Sequence, residues 1–116
     1  MVCGVMGHIG FEFARIASLN NYKVIGIYNK SLAKDKVKIL KKQKVKIIKN
    51  DLQNLTNLKK IIKNNRVQSC VYAAAVSHEI YAKKDPSKTL KVNCIGVQNI
   101  LSLANKKFNF IYLSTG

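Results

Sequence analysis

Three glycines near the start of the chain, Gly4, Gly7 and Gly10, recur at a spacing of three within the segment GVMGHIG. The segment follows a short apolar stretch and leads into a pattern of helical spacing. In such a turn the first glycine permits a tight bend, the second lets the backbone approach a pyrophosphate, and the third lets helix and sheet pack closely. The N–H groups and dipole of the helix N-terminus favour the anion. The spacing predicts a loop that binds the pyrophosphate of a dinucleotide, the alternative being a glycine turn without a ligand.

The end of the next apolar segment bears on which dinucleotide would bind. Folds of this kind that use NAD carry an acid there, which hydrogen-bonds the 2′-hydroxyl of the ribose. Here Tyr28 is followed by Asn29, Lys30 and Ser31, and none of them is an acid. A lysine and a hydroxyl can instead receive a 2′-phosphate, which favours NADP over NAD as the cofactor. The alternative is that Lys30 is only one of many surface lysines.

The segments that would position these residues alternate between two patterns. Apolar runs rich in Val, Ile, Tyr and Phe are typical of buried strands and occur at 22–28, 45–48, 67–75 and 108–114. Apolar residues at helical spacing predict helices over 9–20, 32–43, 54–64 and 85–106. The alternation predicts an α/β fold, a Rossmann-type doubly wound parallel sheet of about five strands. Only residues 1–3 remain for a first strand, so we expect one domain over 1–116 that is truncated at both ends.

The chain is strongly basic, with a net charge of +16, but its composition argues against a specific nucleic-acid site. Of its 21 basic residues only Arg15 and Arg66 are arginines, the type preferred for bidentate recognition of phosphates and bases. A bias towards Lys, Asn and Ile accounts for the lysines without any partner. The alternative, a basic nucleic-acid binder, predicts an affinity for polyanions that falls steeply as salt rises.

Other classes of protein are disfavoured by simple patterns. No apolar run reaches the roughly 18 residues that a membrane-spanning helix needs, and glycines interrupt the segment where a signal peptide would have its apolar core. Neither the cysteines (Cys3, Cys70, Cys94) nor the histidines (His8, His78) have the spacing of metal ligands. Cys3 and Cys70 lie in apolar segments and are interpreted as buried residues of a reducing compartment. We therefore expect a cytoplasmic protein that binds no metal and no membrane.

Five motifs occur in the order and at the spacing of a known family. They are GVMGHIG at 4–10, NDLQN at 50–54, YAAAVSH at 72–78, DPSKTLKVNCIGVQNIL at 85–101 and FIYLSTG at 110–116. In this series the chain resembles the extended short-chain dehydrogenases/reductases, the NAD-dependent epimerase/dehydratase group. VIGIYNKS, AAAVSH and YLSTG are most similar to the dTDP-4-dehydrorhamnose reductase branch. The resemblance covers essentially the whole chain and implies an NAD(P)-dependent enzyme of nucleotide-sugar metabolism.

The resemblance also implies cofactor contacts for individual residues. His8 and Ile9 match the turn from the pyrophosphate loop into the helix. Asp51 and Leu52 match an acidic-apolar pair that lines the adenine, the alternative for Asp51 being a helix N-cap. Ala73, Ala74 and Ala75 match the small residues that form the wall beside the ribose and phosphates. The alternative is that they belong to a tightly packed core strand. Asn93 matches the asparagine that braces the active-site backbone, the alternative being an exposed helix position.

Two hydroxyls near the end of the chain complete the implied site. Thr115 matches the catalytic Ser/Thr of the family, which hydrogen-bonds the reacting oxygen of the sugar, and Ser114 is its supporting neighbour. Open α/β sheets place their chemistry at the carboxyl ends of strands, where these residues lie, the alternative being an ST turn. The family's catalytic Tyr-x-x-x-Lys is missing, since no tyrosine of the chain has a lysine four residues later.

We therefore expect the N-terminal, cofactor-binding part of an NAD(P)-dependent epimerase, dehydratase or reductase that acts on a nucleotide-activated sugar. The sixth strand and the substrate lobe of the family are expected to be absent, and the fragment is not expected to turn over substrate alone. The alternative is a non-catalytic dinucleotide-binding module or pseudo-enzyme. The resemblance further implies a homodimer built through the helix that begins at Asp85.

Overall fold

The computed structural model describes residues 1–114, and in that part of the chain five strands form one parallel sheet. The strands are β1 (Val2–Cys3), β2 (Ile25–Tyr28), β3 (Lys46–Lys49), β4 (Ser69–Tyr72) and β5 (Asn109–Tyr112). Their order across the sheet is β3-β2-β1-β4-β5. The chain moves outward from β1 in one direction and then returns to build β4 and β5 on the other side. The predicted doubly wound parallel sheet is confirmed.

Helices connect the strands and cover both faces of the sheet. They are α1 (His8–Leu19), α2 (Lys34–Lys42), α3 (Leu55–Asn64), α4 (Glu79–Lys84), α5 (Pro86–Leu90) and α6 (Gly96–Leu103). The helices predicted over 9–20, 32–43 and 54–64 are confirmed to within two residues at each end. The short helix α4 was not predicted.

The single regular helix predicted over 85–106 is wrong in its detail. Asp85 caps the start as expected, because its carboxylate accepts from the N–H of Lys88 at 2.9 Å. After α5, however, the backbone forms a π-helical turn, Lys91–Ile95, before α6 resumes the α-helical pattern and ends at Leu103. Since π-turns are rare and often lie at functional sites, this interruption needs a physical cause.

The sheet separates two hydrophobic cores, because successive side chains of a strand point to opposite faces. The core beside α1 and α2 consists of Val2, Val5, Phe11, Ala14, Val24, Leu40 and Val45. The core beside α3 and α6 consists of Cys3, Ile25, Ile27, Leu52, Leu58, Cys70, Tyr72 and Ile100. Covering on both faces explains why the central strands have nearly continuous apolar sequences.

The β3 edge of the sheet carries part of the basic charge. Lys46 and Lys49 begin and end this edge strand and are exposed. Lysines on an edge strand discourage pairing with the edge of another sheet. These two charges therefore have a structural explanation that needs no anionic partner.

Candidate functional site

The segments that contain the predicted site residues meet in a cleft of about 360 Å³ at the carboxyl ends of the strands. The cleft lies beside β1, where the strand order reverses, which is where open α/β sheets bind ligands. The predicted residues that line it are Gly4, Gly7, Asn29, Lys30, Ser31, Asp51, Leu52, Ala73, Ala74 and Ala75. The ends of β1, β2, β3 and β4 thus contribute to one site, because parallel strands end at the same edge of the sheet.

The glycine loop is held by backbone hydrogen bonds and lies directly against the end of β4. The N–H of Gly4 donates to the carbonyl of Ile27 at 3.0 Å, and the N–H of Gly7 donates to the carbonyl of Gly4 at 2.9 Å. Gly4 has a φ of +82°, a conformation that favours glycine. A Cβ at this position would lie 2.7 Å from the backbone nitrogen of Ala74. The first glycine of the motif therefore permits both the turn and the close approach of two backbone segments.

The loop leads into the N-terminus of α1, which has the features of an anion site. Gly7 is the N-cap of α1, no side chain caps the helix, and no acid lies in its first turn. The first hydrogen bond of the helix itself runs from the N–H of Phe11 to the carbonyl of the N-cap, Gly7, at 3.0 Å. The N–H groups of residues 8–10 precede it and have no acceptor within the helix. They can therefore donate to an anion in front of the helix.

Three residues of the predicted loop are not among those that line the cleft. The side chains of His8 and Ile9 are exposed on the first turn of α1. Gly10 is buried behind the loop, where an added Cβ would overlap the carbonyl oxygen of Gly4. Their contribution to a bound anion would come from the backbone N–H groups, and Gly10 additionally allows the helix to pack closely against the loop.

Lys36 supports the same loop from α2 and was missed by the sequence analysis. Its ammonium group donates to the carbonyl of Met6 at 2.8 Å and lies 5.2 Å from the ring centroid of Phe11. The charge-assisted hydrogen bond links α2 to the glycine loop, and the cation–π contact links α2 to α1. No local signal distinguishes Lys36 from the many other lysines of this segment.

Asp51 presents a half-buried carboxylate at the end of β3. Its Oδ2 accepts from the side-chain amide of Asn29 at 3.1 Å, and its Oδ1 accepts from the N–H of Gln53 at 2.9 Å. The N-cap of α3 is Asn54, whose side chain accepts from the N–H of Asn57 at 3.0 Å. The alternative that Asp51 is the N-cap is therefore wrong. Each carboxylate oxygen keeps acceptor capacity for a ligand.

Asn93 lies behind the cleft and holds the backbone after β4. The N–H of Val76 donates to Asn93 Oδ1 at 2.9 Å, and Asn93 Nδ2 donates to the carbonyl of Val76 at 3.2 Å. The alternative of an exposed helix position is wrong, since Asn93 is half-buried with both amide atoms paired. Val76 lines the cleft, so Asn93 acts on the site through this residue.

Several further residues that line the cleft were not predicted. They are Met6, Ile27, Tyr28, Asn50, Gln53, Val76, Lys88, Lys91 and Val92. Lys88 and Lys91 bring two cations to the cleft and favour an anionic ligand. Their spacing of three residues places both on one face of a helix, a signal that could have identified them once the cleft side of that helix was known.

The hydroxyl pair predicted for catalysis is described only in part. Ser114 follows β5 at the same edge of the sheet and is exposed, and it does not line the cleft. The preceding residue, Leu113, donates its N–H to the carbonyl of Tyr72 at 3.1 Å, which keeps this segment beside β4. Thr115 lies outside the described residues, and its catalytic role stays a prediction.

The cysteines Cys3 and Cys70 are buried, as predicted, on the neighbouring strands β1 and β4. Their Sγ atoms lie 3.7 Å apart. The hydrogen bond with Cys70, together with burial, raises the pKa of the Cys3 thiol, so this thiol stays protonated at neutral pH. Among residues 1–114, no three His, Cys, Asp or Glu side chains come together as metal ligands would.

Comparison with known proteins agrees with this geometry. The sequence model of the family described as GDP-mannose 4,6 dehydratase matches residues 1–116. UDP-glucose 4-epimerase from Thermotoga maritima, solved with UDP-glucose, is 26% identical with a TM-score of 0.86 over 99% of this chain. UDP-glucose 4-epimerase from Bifidobacterium longum, in complex with NAD+ and UDP, is 16% identical with a TM-score of 0.86 over 99% of this chain. A search of curated proteins found no significant match.

The fold also occurs in enzymes with other substrates. L-threonine dehydrogenase from Clostridium difficile is 21% identical, with a TM-score of 0.78 over 96% of this chain. The matched region makes up 37% of the Thermotoga maritima protein, 36% of the Bifidobacterium longum protein and 34% of the Clostridium difficile protein. The chain therefore spans a little over one third of the length of the solved structures that it matches.

Proposed function

Because the chain belongs to the family described as GDP-mannose 4,6 dehydratase, one of the extended short-chain dehydrogenases/reductases, we propose that it is the cofactor-binding part of an NAD(P)-dependent enzyme acting on a nucleotide-activated sugar. The observation that carries this proposal is the glycine loop, which meets Asp51 and the three alanines in one cleft at the strand-order reversal. The Thermotoga maritima and Bifidobacterium longum epimerases were solved with UDP-glucose and with NAD+ and UDP, respectively. We assign the same classes of ligand to the full-length parent of this chain.

The residues of the cleft fit a dinucleotide in their hydrogen-bonding chemistry. The N–H groups of residues 8–10 would receive the pyrophosphate, in front of a helix without a side-chain cap. Asp51 and Leu52 would contact the adenine, and the small side chains of Ala73, Ala74 and Ala75 would leave room for the ribose and phosphates. The chemistry that NAD(P) supplies when bound is hydride transfer. We propose that Thr115 orients the reacting oxygen of the sugar.

The direct test is a titration of the chain with NADH and NADPH, followed by nicotinamide fluorescence. We expect saturable binding that ADP-ribose reverses, because the loop and Asp51 act on the adenosine diphosphate half. Binding should persist at about 0.15 M salt, where the ionic atmosphere screens exposed charges over about 8 Å. The proposal would be contradicted if the signal disappeared at this salt concentration and double-stranded DNA competed as well as ADP-ribose did. That result would favour the basic nucleic-acid binder.

We further propose a preference for NADP over NAD. Lys30 and Ser31 line the cleft after β2, and no acid is present there to accept from a ribose 2′-hydroxyl. Replacing Lys30 with alanine should weaken NADPH binding by about tenfold, the effect of losing one charged hydrogen bond of about 1.5 kcal/mol, and should leave NADH binding unchanged. Lys34→Ala, which removes an exposed lysine that does not line the cleft, is the matched control. Equal losses for both cofactors would contradict the assignment.

We also propose that the chain forms a homodimer through the helix that begins at Asp85. Leu90 on α5 and Leu101 on α6 are 57% and 48% exposed, and Cys94 between them is also exposed. Exposed apolar side chains therefore lie on both sides of the π-turn at Lys91–Ile95. Exposed apolar groups of this kind suit packing against the same helix of a second copy. Because these residues belong to one helical segment, the same segment of two copies can pack against each other in a symmetric dimer.

Replacing Leu101 with glutamate is expected to raise the dissociation constant of the dimer at least about tenfold, because a charge would be buried in the apolar contact. Analytical ultracentrifugation over a range of concentrations measures this. Ser102→Glu adds the same charge at the neighbouring exposed position and should have little effect. If the unaltered chain sediments as a monomer at every concentration, the dimer proposal is wrong.

The remaining proposals concern the cellular compartment of the protein and the rest of the full-length enzyme. No helix within residues 1–114 combines the length and apolar character needed to cross a bilayer. The closely spaced thiols of Cys3 and Cys70 favour a reducing compartment, and we propose the cytoplasm. We also propose that the full-length parent enzyme has a sixth strand and a sugar-binding lobe, which lie outside the region that this chain covers. The alternative is a non-catalytic dinucleotide-binding module, and the two proposals differ in sugar binding, not in NAD(P)H binding.

A further inference from the structure

The π-helical turn at Lys91–Ile95 exchanges one backbone hydrogen bond for another. In an α-helix the N–H of Gly96 would donate to the carbonyl four residues back, that of Val92. Here it donates instead to the carbonyl of Lys91, five residues back. The carbonyl of Val92 thereby loses its α-helical donor. It accepts instead from the hydroxyl of Tyr72, with the two oxygens 2.6 Å apart.

Tyr72 is well suited to hold this carbonyl. It is the last residue of β4, and its side chain is fully buried between the sheet and the long helix. Burial raises the pKa of the Tyr72 phenol well above its ordinary value, and the nearby Cys3 and Cys70 thiols raise it further. The hydroxyl therefore stays protonated at neutral pH, and it remains a donor.

Gly96 admits the phenol to this position. A Cβ added to Gly96 would overlap the hydroxyl oxygen of Tyr72 and lie 3.2 Å from the Cβ of Leu52. Glycine is a poor helix former, and Gly96 has ordinary helical φ and ψ angles, so the backbone conformation does not require it. Glycine is required at this position because the Tyr72 hydroxyl approaches so closely.

Resting on the proposed function, we propose that Tyr72 is a positioning residue. Its hydroxyl holds the π-turn at Val92 in place. The turn in turn fixes the positions of Lys91 and Asn93 relative to the cofactor cleft. Asn93 directly follows Val92 and pairs with both backbone groups of Val76. Lys91, Val92 and Val76 all line the cleft. A change in the register of this turn would therefore move the cleft wall although Tyr72 itself does not line it.

The experiment is the substitution Tyr72→Phe, which removes one hydroxyl and keeps the ring in the core. The readout that reports positioning is nuclear magnetic resonance of the Asn93 side-chain amide, together with hydrogen exchange of the Val76 N–H. We expect the Asn93 signals to shift and the Val76 N–H to exchange faster. NAD(P)H affinity should fall about fivefold, the effect of one ordinary hydrogen bond. Tyr112→Phe is the matched control, because Tyr112 packs 6.0 Å from Tyr72 but is exposed on β5, and it should change neither readout.

A second variant keeps the hydroxyl and displaces it. Gly96→Ala should perturb the same Asn93 and Val76 signals in the unaltered background, because the new methyl group pushes the phenol away from Val92. In the Tyr72→Phe background the same substitution should have a clearly smaller effect, because the overlapping oxygen is gone. Equal effects of Gly96→Ala in both backgrounds would contradict the role assigned to the hydroxyl.

The outcomes separate this inference from the proposed function. If Tyr72→Phe leaves the Asn93 and Val76 signals unchanged, the inference is overturned, whatever happens to cofactor affinity. If the unaltered chain binds neither NADH nor NADPH but Tyr72→Phe still shifts the Asn93 signals, the positioning role stands and the cofactor assignment fails. If Tyr72→Phe does not fold, the Gly96→Ala signals alone decide, and unchanged signals in that variant overturn the inference.

Discussion

Replacing Gly4 with alanine is expected to abolish measurable dinucleotide binding and to destabilise the fold. The φ of +82° at this position is unfavourable for alanine. The new Cβ would also lie 2.7 and 2.8 Å from the backbone N and Cα of Ala74 and 2.9 Å from the carbonyl carbon of Ala73. Those are backbone atoms of the neighbouring segment, so no side-chain rotation can relieve the contact. Either the glycine loop or the end of β4 must move, and both form walls of the cleft.

The expected loss of NAD(P)H affinity is at least about 100-fold, since about 3 kcal/mol of strain and misplacement would act on the glycine loop. Fluorescence titration measures the affinity, and urea unfolding measures the accompanying loss of stability.

The variant Gly7→Ala separates the loss of cofactor affinity from the loss of stability. Gly7 has no positive φ, and its added Cβ would meet only the carbonyl oxygen of Gly4 at 3.2 Å. Stability should be nearly retained in this variant, while a methyl group at the approach to the pyrophosphate weakens binding.

The assignment of the loop can fail in a recognisable way. If Gly4→Ala lowers the free energy of unfolding and the folded fraction still binds NAD(P)H as tightly as the unaltered chain, the glycine turn serves the fold alone. Normal affinity in Gly7→Ala would point to the same conclusion. The motif would then be the glycine turn without a ligand that its spacing also allows.

The second large effect is expected from Asn93→Leu. Leucine has a similar size but cannot replace the paired hydrogen bonds to the N–H and carbonyl of Val76, at 2.9 and 3.2 Å. Each backbone group left unpaired in a partly buried site costs about 1–3 kcal/mol, so the loss of both partners should lower the free energy of unfolding by roughly 2–6 kcal/mol. Cofactor affinity should fall as well, because Val76 lines the cleft. Urea unfolding followed by circular dichroism measures the stability.

A graded series strengthens this prediction. Asn93→Asp keeps an acceptor for the N–H of Val76 but loses the donor to its carbonyl, so its stability should lie between those of the unaltered chain and Asn93→Leu. Gln98→Leu removes an amide at an exposed position of α6 and is the matched control. If Asn93→Leu were no less stable than Gln98→Leu, the side chain of Asn93 would not hold the end of β4.

The sequence analysis succeeded where a property depends on local spacing. Apolar runs predicted β2 to β5, and helical periodicity predicted α1, α2 and α3. The convergence of Gly4, Asn29 and Asp51 in one cleft could be predicted as well, because parallel strands end at the same edge of a sheet. These inferences need only the pattern within each segment and the topology that follows from strand-helix alternation.

The sequence analysis could not choose between structures where a local pattern has two solutions. Both Asp51 and Asn54 precede α3 and both are good N-cap residues, and the structure uses Asn54 for the cap while Asp51 bonds Asn29 across two strand ends. Lys36, on α2, resembles its neighbouring lysines in sequence, yet its ammonium group donates to the carbonyl of Met6 in the glycine loop. The choice depends on which side chain can reach a partner in another segment, and periodicity carries no information about that.

The sequence by itself determined the layered fold, the glycine turn between β1 and α1 and about half of the residues that line the cleft, because spacing decides which face of a strand or helix a residue occupies. Only the tertiary structure decided how the long helix is interrupted. The bond from Tyr72 to Val92 and the pair between Asn93 and Val76 join residues 20 and 17 positions apart. Each forms only when β4 and the helix are packed together, since a hydroxyl and an amide must reach specific backbone groups within about 3 Å.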